Sequence, residues 1–113
     1  VKRSLVLLLL IASLASAQQP APPPRIIEIA AKRFEFAPNV VTLRAGETVT
    51  IRLSSLDRAH GLLVKPLGID LDADHGDPDE VTITPKVTGH FPAICDHYCG
   101  MGHGNMKMTF VVE

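Results

Sequence analysis

Thr48-Val49-Thr50-Ile51-Arg52-Leu53 alternates without a break, with Val49, Ile51 and Leu53 on one side and Thr48, Thr50 and Arg52 on the other. Successive side chains of a strand point to opposite faces, so this period of two predicts a half-buried β-strand. Immediately before it stands Arg44-Ala45-Gly46-Glu47, a turn in which Gly46 can take a positive φ without a steric penalty. Further upstream, Val40-Val41-Thr42-Leu43 forms a second run, and Ile26, Ile27 and Ile29 around Glu28 open a third. Downstream, Gly61 to Val64, Val81 to Thr84 and Phe91 to Cys95 are further short candidates. Met108, Phe110 and Val112 then alternate with Thr109 and Val111 at the end. No stretch after residue 25 carries a sustained helical period. Many short strands punctuated by Gly and Pro predict an all-β sandwich or barrel.

Composition bounds what such a domain can do. The chain has 113 residues, 46% hydrophobic and 20% charged, enough for one modest core and too few for a multi-layered nucleotide-binding enzyme. A formal charge of −1 argues against nucleic acid as a partner. Two cysteines are too few for a disulfide-dense scaffold, and there is no Trp. Function must therefore sit in a few side chains.

The ends of the chain divide by composition. Lys2 and Arg3, an apolar run from Leu5 to Leu14 and Ala15-Ser16-Ala17 have the order of a secretory signal over residues 1–17, with cleavage expected after Ala17. The apolar segment from Ser4 to Ala17 is shorter than the roughly 20 residues a bilayer span needs. Residues 18–24 are a Pro-rich tether, and the folded domain is expected over 25–113. The expected location is periplasmic or otherwise extracytoplasmic, with no stable membrane span after cleavage. Between residues 70 and 80 lie Asp70, Asp72, Asp74, Asp77, Asp79 and Glu80. They do not meet the helix-flanked calcium-loop pattern, and we read them as a solvated acidic loop, with a docking patch for a basic partner as the alternative.

The segment Cys95-Asp96-His97-Tyr98-Cys99-Gly100-Met101-Gly102-His103-Gly104-Asn105-Met106 holds both cysteines with two His and two Met. Thiolate, imidazole and thioether suit copper, whereas calcium or magnesium would call for carboxylates. Cys99, His103 and Met106, with His60 from an earlier strand, already complete a mononuclear blue-copper set. Cys95 is then surplus, unless two thiolates bridge two copper ions. Three alternatives stay open at this point: a mononuclear carrier with Cys95 spare, a Cys95–Cys99 disulfide, and a copper chaperone that delivers ions instead of electrons.

The same residues carry a resemblance. Cys-x3-Cys-x3-His-x2-Met from Cys95 to Met106, with His60 upstream, resembles the binuclear CuA motif of cytochrome c oxidase subunit II. The wording Cys95-x-x-Tyr98-Cys99-Gly100-x-Gly102-His103-x-Asn105-Met106 is most similar to subunit II of the ba-type haem–copper oxidases. The similarity reaches back through Thr88-Gly89-His90-Phe91 and Asp57-Arg58-Ala59-His60-Gly61, covering about residues 39–113.

The resemblance implies a cupredoxin-like Greek-key β-sandwich holding copper as a binuclear CuA centre, two ions per chain. It implies bridging thiolates at Cys95 and Cys99, terminal imidazoles at His60 and His103, and a weak axial thioether at Met106. At His97 it implies a main-chain carbonyl ligand. Many relatives carry Glu at that position, where it also helps hold magnesium; His97 departs from this. The lack of Trp departs from the family's aromatic surface for receiving electrons. The expected activity is electron transfer without independent enzymatic turnover, to or from a redox protein such as a cytochrome or terminal oxidase, by a monomeric chain.

The remaining residues of these types have plainer readings. His75 and His90 are ordinary histidines, Met101 and Met108 pack, and Tyr98 lies under the ligand loop. Phe91 and Phe110 belong to the core, and Asp57 hydrogen-bonds around the His60 turn.

Overall fold

A computed structural model describes residues 22–95 and 106–113. Nine strands follow one another: β1 (Arg25–Lys32), β2 (Glu35–Ala37), β3 (Val40–Leu43), β4 (Val49–Ser55), β5 (His60–Val64), β6 (Ile69–Ala73), β7 (Asp79–Ile83), β8 (Gly89–Ile94) and β9 (Lys107–Val112). A single 3-10 turn, Lys65–Leu67, is the sole helical element among the described residues. The strands form a four-stranded sheet in the order β2-β1-β4-β7 and a five-stranded sheet in the order β3-β9-β8-β5-β6. The pairs β1–β4 and β3–β9 are parallel; the remaining pairs are antiparallel.

The sheets pack as a sandwich because their alternating strands each offer one apolar face. Val49, Ile51 and Leu53 of β4 and Ile29 and Ala31 of β1 meet Leu62, Val64, Leu71, Phe110 and Val112 of the other sheet in one core. The chain steps from β2 in one sheet to β3 in the other across Pro38 and Asn39, and Asn39 accepts the amide of Thr109 at 2.9 Å. Gly46 turns the chain from β3 into β4 with a φ of +84°, and its amide donates to the Pro85 carbonyl at 2.7 Å. That is the left-handed backbone the Arg44–Glu47 turn was expected to use.

Three strands depart from the sequence reading. The acidic stretch begins not as a loop but as β6, in which Ile69, Leu71 and Ala73 face the core while Asp70 and Asp72 face solvent. Asp79 and Glu80 likewise lie in β7. A strand with one wet face accepts acids there, so the alternation, not the acidity, decides its structure. β2 is short and buries Phe36 alone, too little for period two to register.

β8 shows how the fold shapes the site end. It lies between β9 and β5 yet contains Pro92, which has no amide to donate to a ladder. β8 pairs with β9 from Gly89 to Ile94, but with β5 at Leu63–Ile94 alone. Among the described residues the two strands overlap only at this end.

Candidate metal centre

The topology gathers three of the candidate residues at one end of the five-stranded sheet. β8 and β9 are joined in a hairpin whose last pair is Ile94–Lys107, so Cys95 and Met106 stand one residue beyond that pair. β5 runs antiparallel to β8, with Leu63 opposite Ile94, so the start of β5 lies where β8 ends. His60 is the first residue of β5. All three are buried: His60 is 0% exposed, Met106 1% and Cys95 2%. His97, Cys99 and His103 lie outside the described residues. Among the described residues no three His, Cys, Asp or Glu come together as a metal-holding group. Those residues contribute one imidazole, one sulfur of cysteine and one thioether.

His60 carries the most informative geometry. Its Nε2 lies 2.6 Å from Asp57 Oδ1. An ionised carboxylate can only accept, so Nε2 bears the proton, and in a neutral ring the lone pair then sits on Nδ1. That Nδ1 is buried and has no hydrogen-bond partner among the described residues. Leaving a buried acceptor unmade costs about 1–3 kcal/mol, so a sequence selected for stability alone would not retain it. A lone pair bare of partners, flanked by the strand ends that carry a cysteine and a methionine, suits a soft transition metal such as copper. The residues present fit that ion.

A small frame holds Asp57 in turn. The amide of Arg33, in the β1–β2 turn, donates to Oδ2 at 2.8 Å, and the amide of Arg58 donates to Oδ1 at 2.7 Å. The Asp57 amide itself donates to Ser55 Oγ at 3.2 Å, while the Ser55 hydroxyl donates to the Arg58 carbonyl. Partial burial works to raise the carboxyl pKa. The Arg33 amide, the His60 ring and the Arg58 amide outweigh it and lower the pKa to about 2. Asp57 was expected to bond around this turn; the Arg33 amide was not foreseen. A main-chain donor 24 residues away leaves no mark in side-chain chemistry.

Cys95 is disulfide-bonded. Thiolate, not disulfide sulfur, is the metal ligand, so copper loading on Cys95 has to follow reduction. Of the residues given plainer readings, Met108 and Phe110 are buried in the core, whereas Phe91 is only partly buried against it. His75 and His90 are exposed.

Fold and site end together define a cupredoxin, the class of β-sandwich domains that bind copper and transfer electrons. The family model of the cupredoxin-like domain matches residues 4–112, and the chain belongs to that family. More particularly, it belongs with subunit 2 of cytochrome c oxidase. The subunit from Thermus thermophilus is 32% identical over 95 residues, 84% of this chain and 70% of that one. A second subunit 2, from another strain of Thermus thermophilus, is also 32% identical, and there the chain spans 56% of the relative's length.

Solved structures agree on the fold. A chain of a heme-copper terminal oxidase dimer matches with a TM-score of 0.71 at 21% identity, over 84% of this chain and 76% of that one. The periplasmic domain of subunit II of cytochrome oxidase from Bradyrhizobium japonicum matches at 0.73 and 17% identity, over 83% and 88%. Auracyanin A, a blue copper protein from Chloroflexus aurantiacus, matches at 0.64 and 22% identity, over 80% and 99%.

These relatives correct one expectation. The sequence reading made the chain a monomer, whereas similar chains are oxidase subunits and one stands within an oxidase dimer. Length and charge carry no information about such contacts. No helix among the described residues is long and apolar enough to cross a membrane.

Proposed function

We propose that this chain is an extracytoplasmic electron carrier of the CuA type, acting as the copper-bearing part of an oxidase-like assembly and performing no turnover of its own. The single observation that carries the copper site is the buried Nδ1 of His60, unpartnered among the described residues, at the sheet end where the strands of Cys95 and Met106 also end. Cys95 and Cys99 would hold two copper ions through their thiolates, with His60 and His103 as imidazole ligands and Met106 as a weak thioether ligand. The main-chain carbonyl of His97 would complete the set. Copper bound there supplies one-electron redox chemistry.

The protein's own part is to keep that chemistry dry and fixed. His60, Cys95 and Met106 are withdrawn from water, and the sandwich behind them is close-packed, so the ligands have little room to rearrange between oxidation states. The partner would be a cytochrome or the catalytic part of a terminal oxidase, as the subunit 2 relatives suggest. Residues 1–17 would direct export and residues 18–24 would tether the domain.

The likeness to auracyanin A favours a second reading, a mononuclear blue-copper centre on His60, Cys99, His103 and Met106. Metal counting decides between the two. The chain is reduced with excess dithiol, freed of it, loaded with copper and desalted, and copper per chain is measured with the absorption spectrum. Two coppers and a purple protein are expected. One copper and a blue protein replace the binuclear reading with the mononuclear one, and no retained copper removes both.

A further inference from the structure

We infer that Asp57 is the positioning residue of the copper centre: clamped by main-chain amides from both sides, it fixes the His60 ring in the Nε2–H form and aims Nδ1 at the metal. The inference rests on the copper reading above and deepens it.

The carboxylate is placed more exactly than a surface turn requires. A simple turn at Asp57 would need only the Arg58 amide, the next along the chain, to satisfy the side chain. Here the second oxygen is taken by the Arg33 amide, which belongs to the β1–β2 turn of the opposite sheet. Leu56 ties the same two segments, its amide donating to the Ala31 carbonyl at 2.9 Å. With Oδ2 anchored on Arg33 and the backbone anchored on Ser55, Oδ1 has one place to be, and it lies 2.6 Å from the imidazole. The four-stranded sheet, which carries none of the candidate ligands, thereby sets the orientation of one ligand in the five-stranded sheet.

Two chemical consequences follow. Holding the proton on Nε2 keeps Nδ1 free to bind metal, whereas the opposite tautomer would close it. An anionic acceptor on Nε2–H also makes Nδ1 the more basic donor, which favours the more highly charged, oxidised copper over the reduced form. Asp57 keeps its own contact with water, its side chain being 34% exposed. It is the residue through which a fully buried ligand meets the surface.

The test compares Asp57→Asn, Arg33→Ala and His60→Ala in the full chain, each reduced and copper-loaded like the parent. Copper affinity is read by competition with a chelator, the reduction potential by redox titration, and the copper-free stability by urea unfolding. Asn can present its amide N–H₂ to the ring and reverse the tautomer, so Asp57→Asn should weaken copper binding about 10–100-fold, the range for lost partners of metal-bound histidines. Its potential should rise and its absorption bands should shift. Arg33→Ala keeps the amide and should match the parent in all three copper readouts.

An Asp57→Asn protein that loses only urea resistance, with parental affinity and potential, overturns the inference and makes the residue merely structural. A change in Arg33→Ala as large as in Asp57→Asn overturns the amide clamp. Both outcomes leave the copper reading intact as long as His60→Ala loses copper. If His60→Ala keeps parental affinity, the copper reading itself fails.

Discussion

Arg52 on β4 and His60 on β5 are both polar side chains on strands, and the two sheets treat them in opposite ways. On the outer face of the four-stranded sheet Arg52 lies between Glu28 at 3.9 Å and Glu80 at 3.6 Å, directly across the strands from both. Beside that row, Thr50 and Thr82 share a hydrogen bond at 2.8 Å, as do Thr48 and Thr84. Each charged group there has both a partner and access to water. In the five-stranded sheet His60 lies fully buried in line with Leu62 and Val64, and one of its nitrogens has nothing to bond among the described residues. The contrast teaches where to look for function: not where charge is plentiful, but where polarity is buried and left incomplete.

The comparison breaks most readily through the core that both sheets share. Phe110 on β9 is fully buried, and Phe110→Ala should cost about 3–5 kcal/mol of unfolding free energy in urea. Leu62→Ala, on the same line of β5 as His60, should cost about 2–5 kcal/mol. His60→Leu at the neighbouring inward position should behave differently. It gives up a hydrogen bond to a charged group, worth about 1.5–3 kcal/mol, and removes an unmade acceptor that costs about 1–3 kcal/mol. The copper-free variant should therefore unfold within about 1 kcal/mol of the copper-free parent, while copper binding is lost. A loss as large as that of Leu62→Ala would show that His60 is a structural residue after all.

A smaller effect tests the turn that feeds β4. Gly46 adopts φ +84° with open space where a Cβ would stand, so backbone strain alone opposes a side chain. Gly46→Ala should lose about 1–2 kcal/mol, the cost of left-handed backbone for an L-residue, without changing copper binding at the far end. Arg25 starts β1 and lies 3.4 Å from Glu47 beside this turn, whereas β1 ends next to Leu56 and the site. A shift in copper affinity would mean that the two poles of the sandwich are coupled.

Much of this fold was legible because alternation survives in short runs. Val49-Ile51-Leu53 and Met108-Phe110-Val112 are strands, and their inward residues are buried as the pattern requires. β6 escaped because three aspartates drew the eye to charge, although Ile69, Leu71 and Ala73 alternate just as regularly. At the site, residue chemistry named His60, Cys95 and Met106, and the topology brings their strand ends to one pole. Residue chemistry named Cys99 and His103 as well and the resemblance added His97, and all three lie outside the described residues. The Arg33 amide could not be read at all, because every residue but proline offers the same donor and only the fold decides where it points.

The smallest predicted effect closes the comparison from the other side. Arg52 is 40% exposed and its two carboxylate partners more so. Exposed ion pairs contribute about 0–1 kcal/mol because water screens the charges and the long side chains lose freedom in pairing. Arg52→Ala should therefore lower stability by less than about 1 kcal/mol, and the difference should shrink between low salt and about 1 M salt, where the screening length falls to about 3 Å. A salt-independent loss of several kcal/mol would mean that the aliphatic stem of Arg52, packed along the sheet, matters more than its charge. The outer face would then be a packed surface that merely looks polar. The distinction between a satisfied exterior and an incomplete interior would rest on His60 alone.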